Sequence, residues 1–331
     1  MLYEHNNSIY YTNNKTGLFA NPIKMGDGLK SCQLQIGSID DVHIAYVNGS
    51  VIHYKVFRNE LLIEYHEISF DKQVYIGSQE ILIPLSPISN LVLRVDGNNK
   101  AHLMFWSEAY SEDWGYDVRT IYYTTNIADN FNSYRTLTAE ELIDSFTFEV
   151  GKENDVQLFY SKRRVSSGDP TEIEAGEMGM PGTFYELHGG GGIIDEFYEE
   201  FEEGGLGSLS STVDKDGTIH LVYQRKEQLK YINNKIVSFS HHENNAQSIA
   251  LLNPFDFGGV AIAGGEKGIH VVYHESQNGY YLNNVSGGFS DTAYIDGSWG
   301  PFASLQIDYT GKINILGAGY YISDKPIKYS C

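Results

Sequence analysis

The segment 106–117 carries side chains of the kinds that bind sugars and protein partners. It reads Trp-Ser-Glu-Ala-Tyr-Ser-Glu-Asp-Trp-Gly-Tyr-Asp, with two Trp, two Tyr and four carboxylates. Aromatic planes stack on sugars or anchor protein partners, and carboxylates accept hydrogen bonds from hydroxyl groups. We interpret the segment as a ligand-binding loop, and the alternative is an ordinary long loop with packed aromatics. The candidate binding residues are Trp106, Tyr110, Glu112, Asp113 and Trp114.

A second unusual segment, 166–205, is rich in acids and contains a run of four glycines. It includes Glu177, which is a further candidate for ligand binding. Phe197, Tyr198 and Phe201 are three or four positions apart, which predicts a short amphipathic acidic helix. An acidic excursion with a glycine hinge favours contact with a partner or a cation, and a solvated loop is the alternative.

Histidines recur at one position of a repeat, which favours a structural role over a catalytic one. Because catalysis does not need one histidine in every repeat, we expect each imidazole to bond backbone or a neighbouring repeat. Gln and Asn at two equivalent positions agree with this, since both form hydrogen bonds but are poor acid–base catalysts. The four histidines are His43, His102, His220 and His270.

Other patterns give no metal, cofactor or catalytic site. Asp214-Lys215-Asp216-Gly217 lacks the third Asp and the distal Glu of a calcium loop, which favours a tight turn. The adjacent His241 and His242 would point to opposite faces of a strand and would not easily chelate one metal. The glycine run lacks the Lys-Ser/Thr of a phosphate loop. We therefore predict no catalytic residue, no metal and no cofactor.

A repeated strand–turn–strand unit positions these residues. In the segment 214–231, an Asp- and Gly-containing turn precedes a strand rich in β-formers, and Tyr231 follows Tyr223 by eight residues. Further strands before and after this pair make each unit a four-stranded meander. Two units have insertions, at about 107–119 and 166–205. The eight-residue spacing recurs at Tyr3–Tyr11, Tyr46–Tyr54 and Tyr273–Tyr281.

The period of the repeat predicts an all-β fold, a β-propeller of four-stranded antiparallel blades. The second strands begin at 43, 102, 157, 220, 270 and 314, which are separations of 59, 55, 63, 50 and 44 residues. One small sheet cannot bury both of its faces, so blades stack around a channel. We expect one propeller domain over residues 1–331, with seven blades, or six if terminal strands complete a shared blade.

The repeat resembles the sialidase-like, BNR-type propeller superfamily. The resemblance rests on units such as Ser211-Thr212-Val213-Asp214-Lys215-Asp216-Gly217-Thr218-Ile219-His220-Leu221-Val222-Tyr223 and covers nearly the whole chain. This resemblance implies the β-propeller architecture only. The Asp-box of that superfamily is not intact here, and none of the seven arginines lies in a context typical of the three-arginine carboxylate clamp of sialidases.

Composition narrows the range of partners. The net charge of −20 opposes binding to nucleic acid or anionic membranes. Two cysteines, at positions 32 and 331, exclude a disulfide scaffold. The N-terminus has no basic region and no apolar run, so we expect a cytoplasmic protein, or a fragment of a longer one.

The sequence thus favours a non-enzymatic propeller that binds a protein or a glycan through loops. One alternative is a carbohydrate-active enzyme, a sialidase-like glycosidase or a polysaccharide lyase, with acids, His or Tyr converging at the channel mouth. The other is a structural module of a larger assembly. The sequence does not indicate the ligand or the oligomeric state.

Overall fold

Strands form all the regular secondary structure in the described part of the computed structural model of this protein. Tyr, Val and Ile favour extended backbone, and Asp, Asn and Gly favour the tight turns between strands. Within the described residues there is no helix, and hence none that could cross a membrane. The structure describes residues 2–5, 8–12, 21–27, 31–37, 41–76, 79–85, 87–111, 116–127, 130–138, 143–151, 156–163, 181–189, 192–200, 209–225, 227–234, 246–253, 257–265, 268–276, 278–295, 303–307 and 313–317.

The chain forms two compact units, and the first is Met1–Leu142. It holds a three-stranded sheet, two four-stranded sheets and a two-stranded hairpin, all antiparallel meanders. Grouped by sheet, its strands are β1 (Leu2–His5), β2 (Ser8–Tyr11) and β3 (Ile23–Asp27); β4 (Ser31–Ile36), β5 (Val42–Asn48), β6 (Val51–Arg58) and β7 (Leu61–Ile68); β8 (Asp71–Ile76) and β9 (Gln79–Pro84); β10 (Ile88–Val95), β11 (Ala101–Ser111), β12 (Tyr116–Thr125) and β13 (Arg135–Thr136).

The second compact unit is Ile143–Cys331. It holds three four-stranded sheets and a two-stranded sheet, again antiparallel meanders. Its strands are β14 (Ile143–Val150), β15 (Val156–Arg163), β16 (Pro181–Gly189) and β17 (Gly192–Glu200); β18 (Leu209–Val213), β19 (Ile219–Arg225), β20 (Gln228–Asn233) and β21 (Gln247–Leu251); β22 (Phe257–Gly265), β23 (Gly268–Glu275), β24 (Asn278–Asn283) and β25 (Ala293–Ile295); β26 (Ala303–Ile307) and β27 (Ile313–Gly317).

Neighbouring sheets pack face to face within each unit. In the first unit, β4 contacts β10, and Tyr54 and Val56 share an apolar core with Leu103 and Phe105. In the second unit, β14, β18, β22 and β26 contact one another in that order. Burying the apolar face of each sheet against the next supplies the main stabilisation, at about 25 cal/mol for each Å² removed from water.

The structure confirms four-stranded antiparallel sheets and corrects one local prediction. The helix expected around Phe197 and Tyr198 is wrong over residues 192–200, which form β17. The hairpin with β16 is closed by the pair Gly189↔Gly192, and Tyr185 lies opposite Phe197. Cross-strand pairing therefore outweighs the helical spacing of the aromatic residues. Phe201 lies outside the described residues, and the β8–β9 hairpin was not anticipated.

Candidate functional site

The β11–β12 hairpin is the longest in the described chain and contains the first of the two insertions. Its strands have 11 and 10 residues, compared with 7 and 6 for β19 and β20. The pairing continues without interruption from His102↔Thr125 to Ser111↔Tyr116. Most of the segment 107–119, expected to be a loop, thus extends two strands. A paired hairpin holds its side chains in a fixed register, which suits a binding site.

One face of this hairpin presents an ordered row of polar and aromatic side chains. Glu108 lies directly opposite Arg119, and Tyr110 lies opposite Asp117. Residues two apart on a strand share a face, so both pairs lie on the same face as Trp106. Tyr110 is 64% exposed, whereas Trp106 is only 7% exposed. The face therefore passes from a buried base at Trp106 to an exposed tip at Tyr110 and Asp117.

Trp106 is the anchor of this face and not its exposed stacking surface. Its indole N–H donates a hydrogen bond to Ser89 Oγ at 2.6 Å. The guanidinium of Arg119 lies over the indole ring, 4.5 Å from the centroid, and Arg119 Nε donates to Glu108 Oε1 at 2.9 Å. This cation–π contact and this ion pair hold Arg119 and Glu108 in place beside the exposed Tyr110.

The structure places only part of the sequence-predicted site. Trp106 and Tyr110 lie on one face of the hairpin, whereas Glu112, Asp113, Trp114 and Glu177 lie outside the described residues. The candidate residues selected from the sequence did not include Glu108, Arg119 or Asp117, all of which share this face. If the segment had been interpreted as a strand, the alternation of side chains along it would have placed Glu108 and Tyr110 on the same face as Trp106.

The recurrent histidines form a second, internal set of contacts. In each described case, imidazole Nδ1 is 2.6 or 2.7 Å from the hydroxyl of a tyrosine on the next strand of the same sheet. The two residues occupy diagonal cross-strand positions, which lets a long side chain reach across the pair. The pairs are His43–Tyr54, His102–Tyr123, His220–Tyr231 and His270–Tyr281.

These contacts refine the expected role of the histidines. The partner of Nδ1 is a tyrosine hydroxyl and not a backbone group, while His43 Nε2 also meets Asn99 Oδ1 of the neighbouring sheet at 3.1 Å. Burial lowers the pKa of His43, His102 and His270, so the neutral imidazole is favoured at neutral pH. A buried, neutral imidazole bonded to tyrosine supports the fold and does not face a substrate.

Two aspartates at the start of the second strands act as turn residues. Asp214 Oδ1 accepts hydrogen bonds from the backbone N–H groups of Asp216 at 2.9 Å and Thr218 at 2.8 Å. Asp96 Oδ1 accepts the equivalent bonds from Asn98 and Lys100. These Asx-type contacts confirm the tight turn predicted at 214–217. His241 and His242 lie outside the described residues.

A buried carboxylate in the second unit bears on the enzyme alternative. Ser211 Oγ donates to Glu149 Oε1 at 2.8 Å and lies 2.9 Å from Thr147 Oγ1. Glu149 and Ser211 are each 4% exposed, and Thr147 is 6% exposed. These hydroxyls join β14 to β18, and the residues of β10 and β22 equivalent to Ser211 are Leu93 and Ile262. The carboxylate of Glu149 is thus buried and bonded within the protein.

Comparison with solved structures places the fold among β-propellers. An α-L-arabinanase from Penicillium chrysogenum, solved with arabinobiose, has a TM-score of 0.50 and 11% identity over 88% of this chain and 89% of the other. BBS1N in complex with ARL6DN has a TM-score of 0.55 and 10% identity over 95% of this chain and 82% of the other. The Dos1 propeller has a TM-score of 0.48 and 10% identity over 93% of this chain and 69% of the other.

No protein-family model and no curated protein sequence matches the chain. At 10 or 11% identity, the structural likeness concerns the fold alone. The arabinanase is a β-propeller protein, in agreement with the four-stranded antiparallel sheets of this chain. The chain therefore has a β-propeller type of architecture.

Proposed function

We propose that the protein is a non-enzymatic binding module whose ligand, a protein or a glycan, docks on the β11–β12 hairpin. The observation that carries this proposal is the exposure of Tyr110, 64%, at the outer end of a paired hairpin. The base of the same face is fixed by the Trp106–Ser89 hydrogen bond and the Arg119–Glu108 ion pair. An exposed aromatic ring on a rigid support loses little conformational entropy when it binds a ligand.

The chemistry of the hairpin face suits hydroxyl-rich or mixed polar surfaces. The ring of Tyr110 offers a plane for stacking, and its hydroxyl can donate or accept a hydrogen bond. Asp117 lies exposed opposite Tyr110, and its carboxylate can accept hydrogen bonds from a ligand. A net charge of −20 opposes a polyanionic ligand, so nucleic acid remains excluded from the proposal.

A carbohydrate-active enzyme is the second candidate, supported by likeness in fold to the arabinanase solved with arabinobiose. This activity would require acids that a substrate can reach at the channel mouth. Glu149, buried under Ser211 and Thr147, does not meet that requirement. We rank the enzyme below the binding module, which the exposed Tyr110 face supports, and a structural module of a larger assembly below both.

We further propose a single sialidase-like propeller of seven blades, with six as the alternative. Support comes from likenesses that each span most of the chain, 88% for the arabinanase and 95% for BBS1N. Over the described residues, five sheets have four strands each, as the blades of such a propeller would. An experimental structure of the whole chain would count the blades directly.

Glycan-array screening and lysate pull-down with three variants test the binding proposal. One variant replaces residues 107–119 by the short connection between β19 and β20, and another is Tyr110→Ala. The matched control is Tyr294→Ala, because Tyr294 is 59% exposed and belongs to a different sheet, on β25. We expect both hairpin variants to lose the captured ligand, Tyr110→Ala at unchanged melting temperature, and we expect the control to retain the ligand. Retention by the trimmed hairpin would place the site elsewhere. Hydrolysis or lyase products from arrayed glycans would favour the enzyme.

A further inference from the structure

Strand β7 combines an unpaired backbone edge with exposed apolar side chains. It is the last strand of the sheet β4-β5-β6-β7, and the following β8 pairs with β9 instead. Within the described residues, the outer edge of β7 therefore has no strand partner. An open edge presents alternating N–H and C=O groups that can pair with another chain.

The apolar side chains of β7 are unusually exposed. Leu61 is 70% exposed, Leu62 51%, Ile63 49% and Tyr65 44%. Elsewhere in the described chain, large exposed apolar side chains occur one at a time on separate strands or loops, as Leu251 does on β21. Clustered apolar exposure marks an interaction surface, whereas single exposed residues are ordinary.

The edge lacks several of the usual features that prevent strand addition. Proteins protect open edges with lysine, proline, bulges or short strands. Strand β7 has 8 residues and contains no lysine and no proline. Its only irregularity in pairing with β6 lies near Ile63, and the register from Glu64 to Ile68 is regular. The regular part of the edge, from Glu64 to Ile68, can accept a partner strand.

The charge on β7 selects the kind of partner. Glu64 and Glu67 lie on the strand, and Glu60 lies in the turn before it. Two cations lie nearby on β6, and both already have partners. Lys55, opposite Tyr65, has its Nζ 5.3 Å from the Tyr65 ring centroid and donates to Met25 O, and Arg58 is held by both oxygens of Asp41 at 2.7 and 2.8 Å. A second copy of β7 would bring like charges together across the new pair, which is destabilising. The whole chain, at −20, adds to this repulsion.

We propose that β7 binds an extended basic segment of another polypeptide as a fifth strand of its sheet. Backbone hydrogen bonds along the outer edge supply affinity, and apolar side chains of the segment cover Leu62, Ile63 and Tyr65. Glu64 and Glu67 are three positions apart in the regular part of β7, so they lie on opposite faces. Lysine or arginine at alternate positions of the segment meets Glu64, on the face opposite Tyr65. This is strand addition, in which the main chain gives affinity and alternate side chains give specificity.

A panel of labelled peptides tests this surface by fluorescence anisotropy. Each peptide has the length of β7, 8 residues, and alternates valine with lysine, glutamine or glutamate. We expect the lysine peptide to bind, the glutamine peptide to bind more weakly and the glutamate peptide not to bind. Salt should weaken the lysine complex, because the charges lie at the surface. Failure of the lysine peptide to bind would overturn the proposal.

Blocked backbone donors separate strand addition from simple charge attraction. Two variants of the lysine peptide are made. One is N-methylated at its odd-numbered residues and the other at its even-numbered residues. Only one set of N–H groups can face β7, so one peptide should lose binding and the other should retain it. Equal binding by both methylated peptides would show that no strand forms. Increased hydrogen-exchange protection of residues 61–68 in the unmethylated complex gives an independent readout.

Single substitutions locate the surface. We expect Ile63→Lys to weaken peptide binding by about tenfold or more, as for a central interface residue. The matched control is Leu251→Lys, a leucine that is 78% exposed on the outer strand β21 of another sheet. Equal weakening by both variants would overturn the assignment to β7. The hairpin variant Tyr110→Ala should leave peptide binding unchanged, so this proposal and the proposed function fail independently.

Discussion

His220 and Tyr231 lie on neighbouring strands of one sheet, and imidazole Nδ1 is 2.7 Å from the tyrosine hydroxyl. On its other side, His220 Nε2 lies 3.2 Å from Asp214 Oδ2 in the turn that precedes the strand. The imidazole thus joins a turn, the second strand and the third strand of the sheet. The same arrangement of histidine and tyrosine recurs at His43, His102 and His270.

The first prediction concerns this pair. We expect His220→Gln and Tyr231→Phe each to lower the free energy of unfolding by about 1 kcal/mol, because each removes a buried hydrogen bond. The double variant should lose less than the sum of the two, since the residues share one contact. Urea denaturation measures all three, and the control is Tyr294→Phe, whose ring is 59% exposed. If the losses of the two single variants added up fully in the double variant, the contact between His220 and Tyr231 would contribute no coupling energy.

Acidification should destabilise the protein through its buried histidines. Burial lowers the pKa of His43, His102 and His270 in the folded state, so the unfolded chain binds more protons below the unperturbed pKa of ~6.5. This contribution to stability is complete above that pH and is lost as the pH falls towards the folded values. Urea denaturation one pH unit above and one pH unit below the unperturbed histidine pKa measures this change in unfolding free energy. The variant His102→Gln should show a smaller change. Greater stability on the acidic side would contradict this prediction.

The third prediction is that Gly217 and Gly97, in equivalent turns, differ in their tolerance of alanine. Gly217 has a φ of 81° in the turn that begins at Asp214, and the matching residue of the turn at Asp96 is Asn99, with a φ of 62°. We expect Gly217→Ala to destabilise by about 1 kcal/mol or more, and Gly217→Asn to cost less, because Asn tolerates positive φ. Gly97→Ala should be neutral, since an added Cβ there meets no atom within 4 Å. Thermal melting ranks the three variants, and a large loss in Gly97→Ala would refute this ranking.

The anchor role of Trp106 gives the fourth prediction. Trp106→Phe removes the hydrogen bond to Ser89 Oγ and weakens the contact with Arg119, so we expect a loss of about 1 kcal/mol or more in unfolding free energy. Ser89→Ala removes the same hydrogen bond but leaves the ring, and it should cost less. Guanidinium denaturation compares the two. If Trp106→Phe has no effect on stability, the indole is not the anchor of the hairpin.

The repeat determined the strands because its signals are local. The tyrosine spacing and the Asp- and Gly-containing turns depend on residues close in sequence, so first strands such as β4 and β18 and the turn at Asp214 were predictable. Over residues 192–200, the spacing of the aromatic residues indicated a helix, but the segment pairs with β16 and forms a strand. The sequence also identified 106–117 as an unusual segment.

Only the tertiary structure decided which of these side chains are accessible. The sequence marked Trp106 and Tyr110 as equal candidates for ligand binding. In the structure, Trp106 is buried by contacts with Ser89 and Arg119, whereas Tyr110 is exposed. Likewise, Glu149 reads as an ordinary strand acid until β18 brings Ser211 against it. The open edge of β7 follows from the order of strands in its sheet. Burial and edge position depend on contacts between residues distant in the chain, which local spacing does not encode.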